Sequence, residues 1–209
     1  MNKSETIHDT VIRLGRRRST MMAMGNDEIV HAMVYSGFPE VKDRVLYRLD
    51  EDKAGRYLTV RSSSVPDYTN VVEEYGWPRL PYEEQVSTST VRTDYNKNDS
   101  LSFVLRANTV RRNGRKERTV YSHDDLVQWL MDRSHVHGFR LVSVAVLGTG
   151  HMNVVKRRHV SMPWTDYAGR LMVEDTDGFA RTLSEGLGRG KAYGMGLLTI
   201  TGSKNTGQF

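Results

Sequence analysis

Hydrophobic and polar residues alternate over 8–14, the period-two pattern of a half-buried strand, while 45–49 and 56–61 read as two further strands and 85–95, rich in Val and Thr, as a fourth. Between the first two of these the spacing changes. Ile29, Val30, Met33 and Val34 recur at three- and four-residue steps, which makes one buried stripe of a helix. Asn26 is a good N-cap for it, Asp27 and Glu28 suit its first turn, and Pro39 prevents continuation past about Gly37. Asp27, His31 and Tyr35 stand four residues apart and share another face. Arg16-Arg17-Arg18-Ser19-Thr20 reads as a basic connection. Residues 67–75 read as a short helix with Val71, Val72 and Tyr75 inward, broken by Trp77-Pro78 and Leu80-Pro81.

After the linker 96–100 the same order of elements recurs. Residues 101–108 alternate as a strand, and 110–118 form a basic loop around Gly114. Ser122 with Asp125 makes a capping box for a helix that runs to about His135 and buries Leu126, Val127 and Leu130. Strand 139–147 follows, then a short basic hairpin at 152–160 and a strand at 165–174. A helix capped by Asp177 carries Phe179, Leu183 and Leu187 at four-residue spacing, and 197–200 is the last strand. Each half reads β-α-β-β-α-β. The expected fold class is α+β, two tandem ferredoxin-like domains over 1–95 and 96–209, with antiparallel sheets and helices on one face.

The chain has 209 residues, 38% hydrophobic, with a mean hydropathy of −0.55. No apolar run approaches the ~20 residues of a membrane span, and no apolar signal core follows the N-terminus. Cysteine is absent, which removes disulfides, thiolate nucleophiles and the commonest zinc ligands. A cytoplasmic protein is expected. The net charge of +5 is mild, but the cations come in runs: Arg16 to Arg18, Arg111 to Arg118, and Lys156-Arg157-Arg158. Clustering of this kind suits a polyanion.

Gly186, Gly188, Gly190, Gly194 and Gly196 surround Arg189 and Lys191 just before the last strand. Backbone this free of side chains can approach a phosphate chain closely. Neither familiar nucleotide motif fits. Glu185 stands where a Walker A loop needs its first glycine and Ala192 where it needs Ser or Thr, and the Gly-x-Gly-x-x-Gly spacing does not occur. No nucleotide cofactor is expected. His135-Val136-His137 is too close for a helical ligand pair and has no acidic support, so no metal site is expected there. No Gly-x-Ser-x-Gly elbow and no RNA-recognition-motif aromatic signature is present. His31 stands apart from the other histidines, on a capped helix and off the apolar stripe. An imidazole there can move protons near neutral pH, and beside cations it suits RNA cleavage through the ribose 2′-hydroxyl.

The stretch Gly186-Leu187-Gly188-Arg189-Gly190-Lys191-Ala192-Tyr193-Gly194-Met195-Gly196-Leu197-Leu198 resembles the C-terminal signature of the CasE family, the CRISPR precursor-RNA endoribonucleases of type I-E systems. Phe103-Val104-Leu105-Arg106-Ala107-Asn108 resembles that family's Phe-Arg-Leu-Arg-Ala-Asn strand, and Tyr167-Ala168-Gly169-Arg170-Leu171 its strand before the final helix. Asn26 to His31, and on to Phe38-Pro39, resembles its catalytic helix. The resemblance implies metal-independent cleavage of CRISPR repeat RNA at the 3′ base of a stem-loop, leaving a 2′,3′-cyclic phosphate and a 5′-hydroxyl. It implies retention of the product as a subunit of the Cascade complex. His31 matches the family's catalytic histidine. Glu28 stands where the family often has a tyrosine, and Tyr35, one turn further on, offers a hydroxyl. Lys156, Arg157 and Arg158 fall where the family has a basic hairpin that engages the RNA stem. Arg106, Arg111, Arg112, Arg115, Lys116, Arg189 and Lys191 complete the expected RNA-binding cations. The implied partners are CRISPR repeat RNA and other Cascade subunits, with no membrane and no cofactor. A non-catalytic RNA-binding subunit and a structural subunit remain as alternative readings.

Overall fold

The computed structural model describes residues 6–40, 44–53, 55–113, 116–155 and 159–202, without the side chains of 112, 113, 116, 117, 153–155, 159 and 160. Described residues up to Val91, together with Ala192–Gly194, form one compact unit, and those from Arg92 to Lys191 with 195–202 form a second.

The first unit runs β1 (His8–Leu14), α1 (Arg18–Met24), α2 (Asp27–Ser36), β2 (Leu46–Glu51), β3 (Arg56–Ser62), α3 (Thr69–Tyr75) and β4 (Val86–Thr90). Its sheet order is β2-β3-β1-β4, with every neighbouring pair antiparallel. Two crossovers are therefore needed, and the helices supply them. α2 forms where expected: the Asn26 side chain accepts from the N–H groups of Glu28 and Ile29, and Val30, Met33 and Val34 are buried. They pack on Ile12, Leu58 and Val60 of the sheet. Tyr68 is fully buried in this core, where its hydroxyl donates to the Val34 carbonyl at 2.9 Å.

The second unit runs β5 (Ser100–Ala107), β6 (Val110–Asn113), β7 (Lys116–Thr119), α4 (His123–Ser134), β8 (Phe139–Val155), β9 (His159–Val173), α5 (Thr176–Glu185) and β10 (Leu198–Thr201). Its main sheet order is β10-β5-β9-β8. Counted within each four-stranded sheet, the strands stand in the order 4-1-3-2, which is the ferredoxin-like arrangement. The core of the second sheet is aromatic, with Phe103, Trp129, Phe139, Tyr167 and Phe179 all at or below 1% exposure.

Several local expectations are corrected. Residues 18–24 are a helix, α1, and not part of a basic connection: Thr20 and Ala23 bury one side, and Gly25 ends it. The strand expected over 85–95 ends at Thr90, and Tyr95 instead packs edge-on against Phe179 of the second unit. Residues 110–113 and 116–119 are not loop but a paired antiparallel ladder, with Val110 opposite Thr119, and residues 114 and 115 lie outside the described residues. Of the basic piece expected at 152–160, residues 152–155 and 159–160 continue β8 and β9, which stay paired from Phe139↔Val173 to Val155↔His159, and residues 156–158 lie outside the described residues. The cap of α5 is Asp175, whose carboxylate accepts from the Asp177 N–H at 3.1 Å. The stripe of α4 also shifts: Trp129 is buried with Leu126 and Leu130, while Val127 is half-buried.

His137 adds a pH dependence to the second unit. Its Nδ1 lies 2.9 Å from the Thr182 hydroxyl, which is also 3.0 Å from the His137 carbonyl. Burial, with Lys191 and Arg133 nearby, holds its pKa below the usual 6.5 despite the opposing Glu185. The unfolded chain therefore takes up this proton before the folded chain does. The stability contributed is complete above about pH 6.5 and falls as pH drops from there through the folded pKa. Thermal melts of wild type and His137→Gln at pH 7.5 and 5.5 should show a larger acid-side drop in Tm for wild type.

Candidate active site on helix α2

The capped start of α2 fixes which side chains face which way. With Val30, Met33 and Val34 committed to the sheet, Asp27, His31 and Tyr35 line the flank of the helix and are half-buried. The His31 and Tyr35 rings lie 4.4 Å apart, tilted by 31°. The two residues named from sequence as catalytic are thus brought into contact. Glu28 is exposed on the first turn.

Two further phenols join this flank. Tyr47 of β2 is only 3% exposed, and its hydroxyl donates to the Ala192 carbonyl at 2.9 Å. Burial, followed by the charges of Asp27, Tyr35 and Tyr193, drives its pKa far above the ordinary tyrosine value, so it is a fixed neutral donor. Gly194 has φ +73°, and a Cβ there would stand 3.1 Å from the Tyr47 ring, closer than a side chain is accommodated without movement. Tyr193 sits between these two anchors and is half-buried. Burial also raises the Asp27 carboxyl above its ordinary range. The arrangement offers one imidazole, the phenols of Tyr35, Tyr47 and Tyr193, of which Tyr47 is held neutral by burial, and a half-buried carboxyl. It can take a proton at one point and give one at another.

Tyr47 and Tyr193 were absent from the sequence-derived site. Tyr193 carried a signal, since it lies within the glycine-rich stretch. Tyr47 carried none, because an alternating strand only marks it as inward-facing.

The expected cations fare differently. The Arg106 guanidinium is clamped by both oxygens of Asp166 at 2.7 Å and lies 4.4 Å over the Trp164 ring, so its charge is largely spent inside the second unit. Arg111 stands 3.5 Å from both Asp125 and Asp132. Arg189 is exposed and Lys191 half-buried. Arg112 and Lys116 lie on the β6–β7 ladder, and their side chains are outside the described set. Arg115, Lys156, Arg157 and Arg158 lie outside the described residues. Among the described residues, no group of three or more His, Asp or Glu is placed to hold a metal ion. No described helix is long and apolar enough to cross a membrane.

A family model described as "CRISPR associated protein" matches residues 10–201. The chain belongs to this CRISPR-associated family. A curated relative, the CRISPR-associated endoribonuclease Cse3 of Thermus thermophilus, is 26% identical over 180 residues, covering 77% of this chain and 81% of that protein. The solved structure of Thermus thermophilus Cse3 bound to an RNA representing a pre-cleavage complex is 25% identical, with a TM-score of 0.81 over 94% of this chain and 99% of that one. Cas6e from Escherichia coli K-12 shares the fold, with a TM-score of 0.67 over 93% of this chain and 98% of that one at 16% identity. The two-unit ferredoxin-like architecture expected from the element order is that of these proteins.

Proposed function

We propose that this chain is an endoribonuclease that cuts CRISPR repeat RNA at the 3′ base of its stem-loop and stays on the product as a Cascade subunit in the cytoplasm. The observation that carries the reading is the His31–Tyr35 ring contact on a capped helix flank, in a chain of the CRISPR-associated family. The naming of a relative as an endoribonuclease, and the RNA in its pre-cleavage complex, support it.

In the proposed reaction His31, as neutral imidazole, takes the proton of a ribose 2′-hydroxyl. The 2′-oxygen forms a bond to the adjacent phosphorus, and the bond from phosphorus to the 5′-oxygen breaks. Tyr35 gives its phenolic proton to the leaving 5′-oxygen and recovers one from the His31 imidazolium beside it. The products are a 2′,3′-cyclic phosphate and a 5′-hydroxyl, and no metal enters the balance. Lys156, Arg157 and Arg158, with Arg111, Arg112, Arg115 and Lys116, would hold backbone phosphates, and Arg189 with Lys191 would do so near the glycine-rich turn. Binding through such contacts should weaken as salt rises.

The test is incubation of the purified chain with labelled stem-loop repeat RNA in EDTA, beside the same RNA lacking the 2′-hydroxyl at the cleaved position. Cleavage of the first and not the second is expected. Loss of cleavage in EDTA would defeat the metal-free step. Tight binding without any product would favour the non-catalytic RNA-binding reading, for which the exposed Glu28 is the feature to examine.

A further inference from the structure

The second unit carries an aromatic and basic groove whose aromatic face has no role in the proposed reaction. It is an open groove of about 710 Å³, lined by Arg111, Arg118, Val120, Tyr121, Ser122 and Asp125. Tyr121 leaves 73% of its surface exposed. Its ring lies 6.3 Å from that of His151 on β8, tilted by 34°, so the two form an offset aromatic surface. Arg118, three residues before Tyr121, is exposed, and no described acidic side chain pairs with it. Asp125 is already occupied: it accepts from the Ser122 hydroxyl at 2.6 Å and stands 3.5 Å from Arg111.

A single exposed tyrosine is ordinary and requires no explanation. A flat aromatic surface, an uncompensated guanidinium within three residues and a groove joining them are together a different matter. Aromatic faces take nucleobases without regard to sequence, and arginine takes the phosphate. Bases inside an A-form duplex have no free face, so an unpaired nucleotide is the form of RNA that best uses such a surface. We propose that this groove binds an unpaired RNA nucleotide, its base stacked on Tyr121 beside His151 and its phosphate on Arg118. The inference rests on the RNA-processing reading above and adds a single-strand contact to it. An acidic peptide could use Arg118 but gains little from a bare aromatic face, so RNA is the occupant the groove favours.

The test compares two 2′-O-methyl RNAs, which resist 2′-hydroxyl attack: the repeat stem-loop with single-stranded extensions at both ends, and a blunt duplex of the same stem. Affinities for the full chain are read by fluorescence anisotropy. Tyr121→Ala should weaken binding of the extended stem-loop roughly 5- to 150-fold, the range set by stacking of one base. It should leave the blunt duplex unchanged, and Tyr121→Trp should retain wild-type affinity. Arg118→Ala should weaken the extended RNA and reduce its salt dependence by about one phosphate contact. Equal losses on both RNAs, or no loss on either, would overturn the proposal. A Tyr121→Ala chain that binds RNA normally but no longer joins a Cascade assembly would also overturn it and assign the groove to a protein. Failure of the wild-type chain to bind either RNA would overturn the RNA-processing reading itself, and this inference with it.

Discussion

His31→Ala is expected to lower the single-turnover cleavage rate of repeat RNA by roughly 10²–10⁴-fold, the span of a lost general base. The dissociation constant for the same RNA should stay within about twofold of wild type. The separation follows from where the residue sits. His31 is half-buried on the flank of α2, while Val30, Met33 and Val34 carry the packing against the sheet. Removing the imidazole therefore leaves no cavity in the core, and alanine is the best helix former. Tm should hold, so lost rate cannot be assigned to lost fold. Tyr35→Phe keeps the ring that stacks at 4.4 Å and deletes only the hydroxyl. If Tyr35 is the acid, that change alone should reduce the rate. If Tyr193 supplies the proton instead, Tyr193→Phe should carry that signature and Tyr35→Phe should not. An unaltered rate in His31→Ala would remove His31 from the chemistry.

How far the site was readable from sequence can be argued residue by residue. α2 was legible because three local signals agree on it: the Asn26 cap, acidic residues in the first turn, and an apolar stripe of helical period. Once its register is known, the face shared by His31 and Tyr35 follows from geometry. α1 was not legible, since Arg17 extends into it without a side-chain cap and its seven residues are too few to show a period. The length of β8 and β9 was hidden by Gly148 and Gly150, which imitate a turn. In the fold Gly148 follows a ladder irregularity and Gly150 lies under the Trp164 ring, so neither reverses the chain. Tyr47 was beyond reach for a different reason. Its partner carbonyl is 145 positions away, and no local pattern records which hydroxyl meets which distant backbone group. The spent charge of Arg106 is the same case, with Asp166 60 positions off. The chain's own pattern shows elements and faces, and the long-range closure of the fold decides which polar groups remain available.

Phe179→Ala is expected to have the largest effect on stability, about 3–5 kcal/mol, the usual cost of deleting a buried phenyl ring. Phe179 is fully buried on α5, in edge-to-face pairs with Tyr95 and Phe139 whose ring centroids lie 5.6 Å and 6.1 Å from its own. Each such pair adds about 0.5–1.5 kcal/mol beyond the area it buries, so the truncation removes packing and ring contacts together. Whole domains are stable by only about 5–15 kcal/mol, so the variant should sit near the margin. For a unit of about 100 residues this corresponds to a fall in Tm of order 20 °C. Phe179→Leu, which keeps most of the volume, should cost under half as much. Hydrogen exchange should locate the damage: amides of β5, β9 and α5 should lose protection while those of β1 and β3 retain theirs. A functional consequence follows from the chain path. The Leu187 N–H donates to the Gly196 carbonyl at 2.8 Å, and the Gly196 N–H to the Arg106 carbonyl at 2.7 Å, so the glycine-rich turn is tied to the C-terminal end of α5 and to β5. Loosening α5 should therefore slow cleavage through Ala192, Tyr193 and Gly194 even though Phe179 touches no reacting atom, and Phe179→Leu should restore most of the rate. A Phe179→Ala chain that melts within a few degrees of wild type would mean that this aromatic cluster does not hold the second unit together.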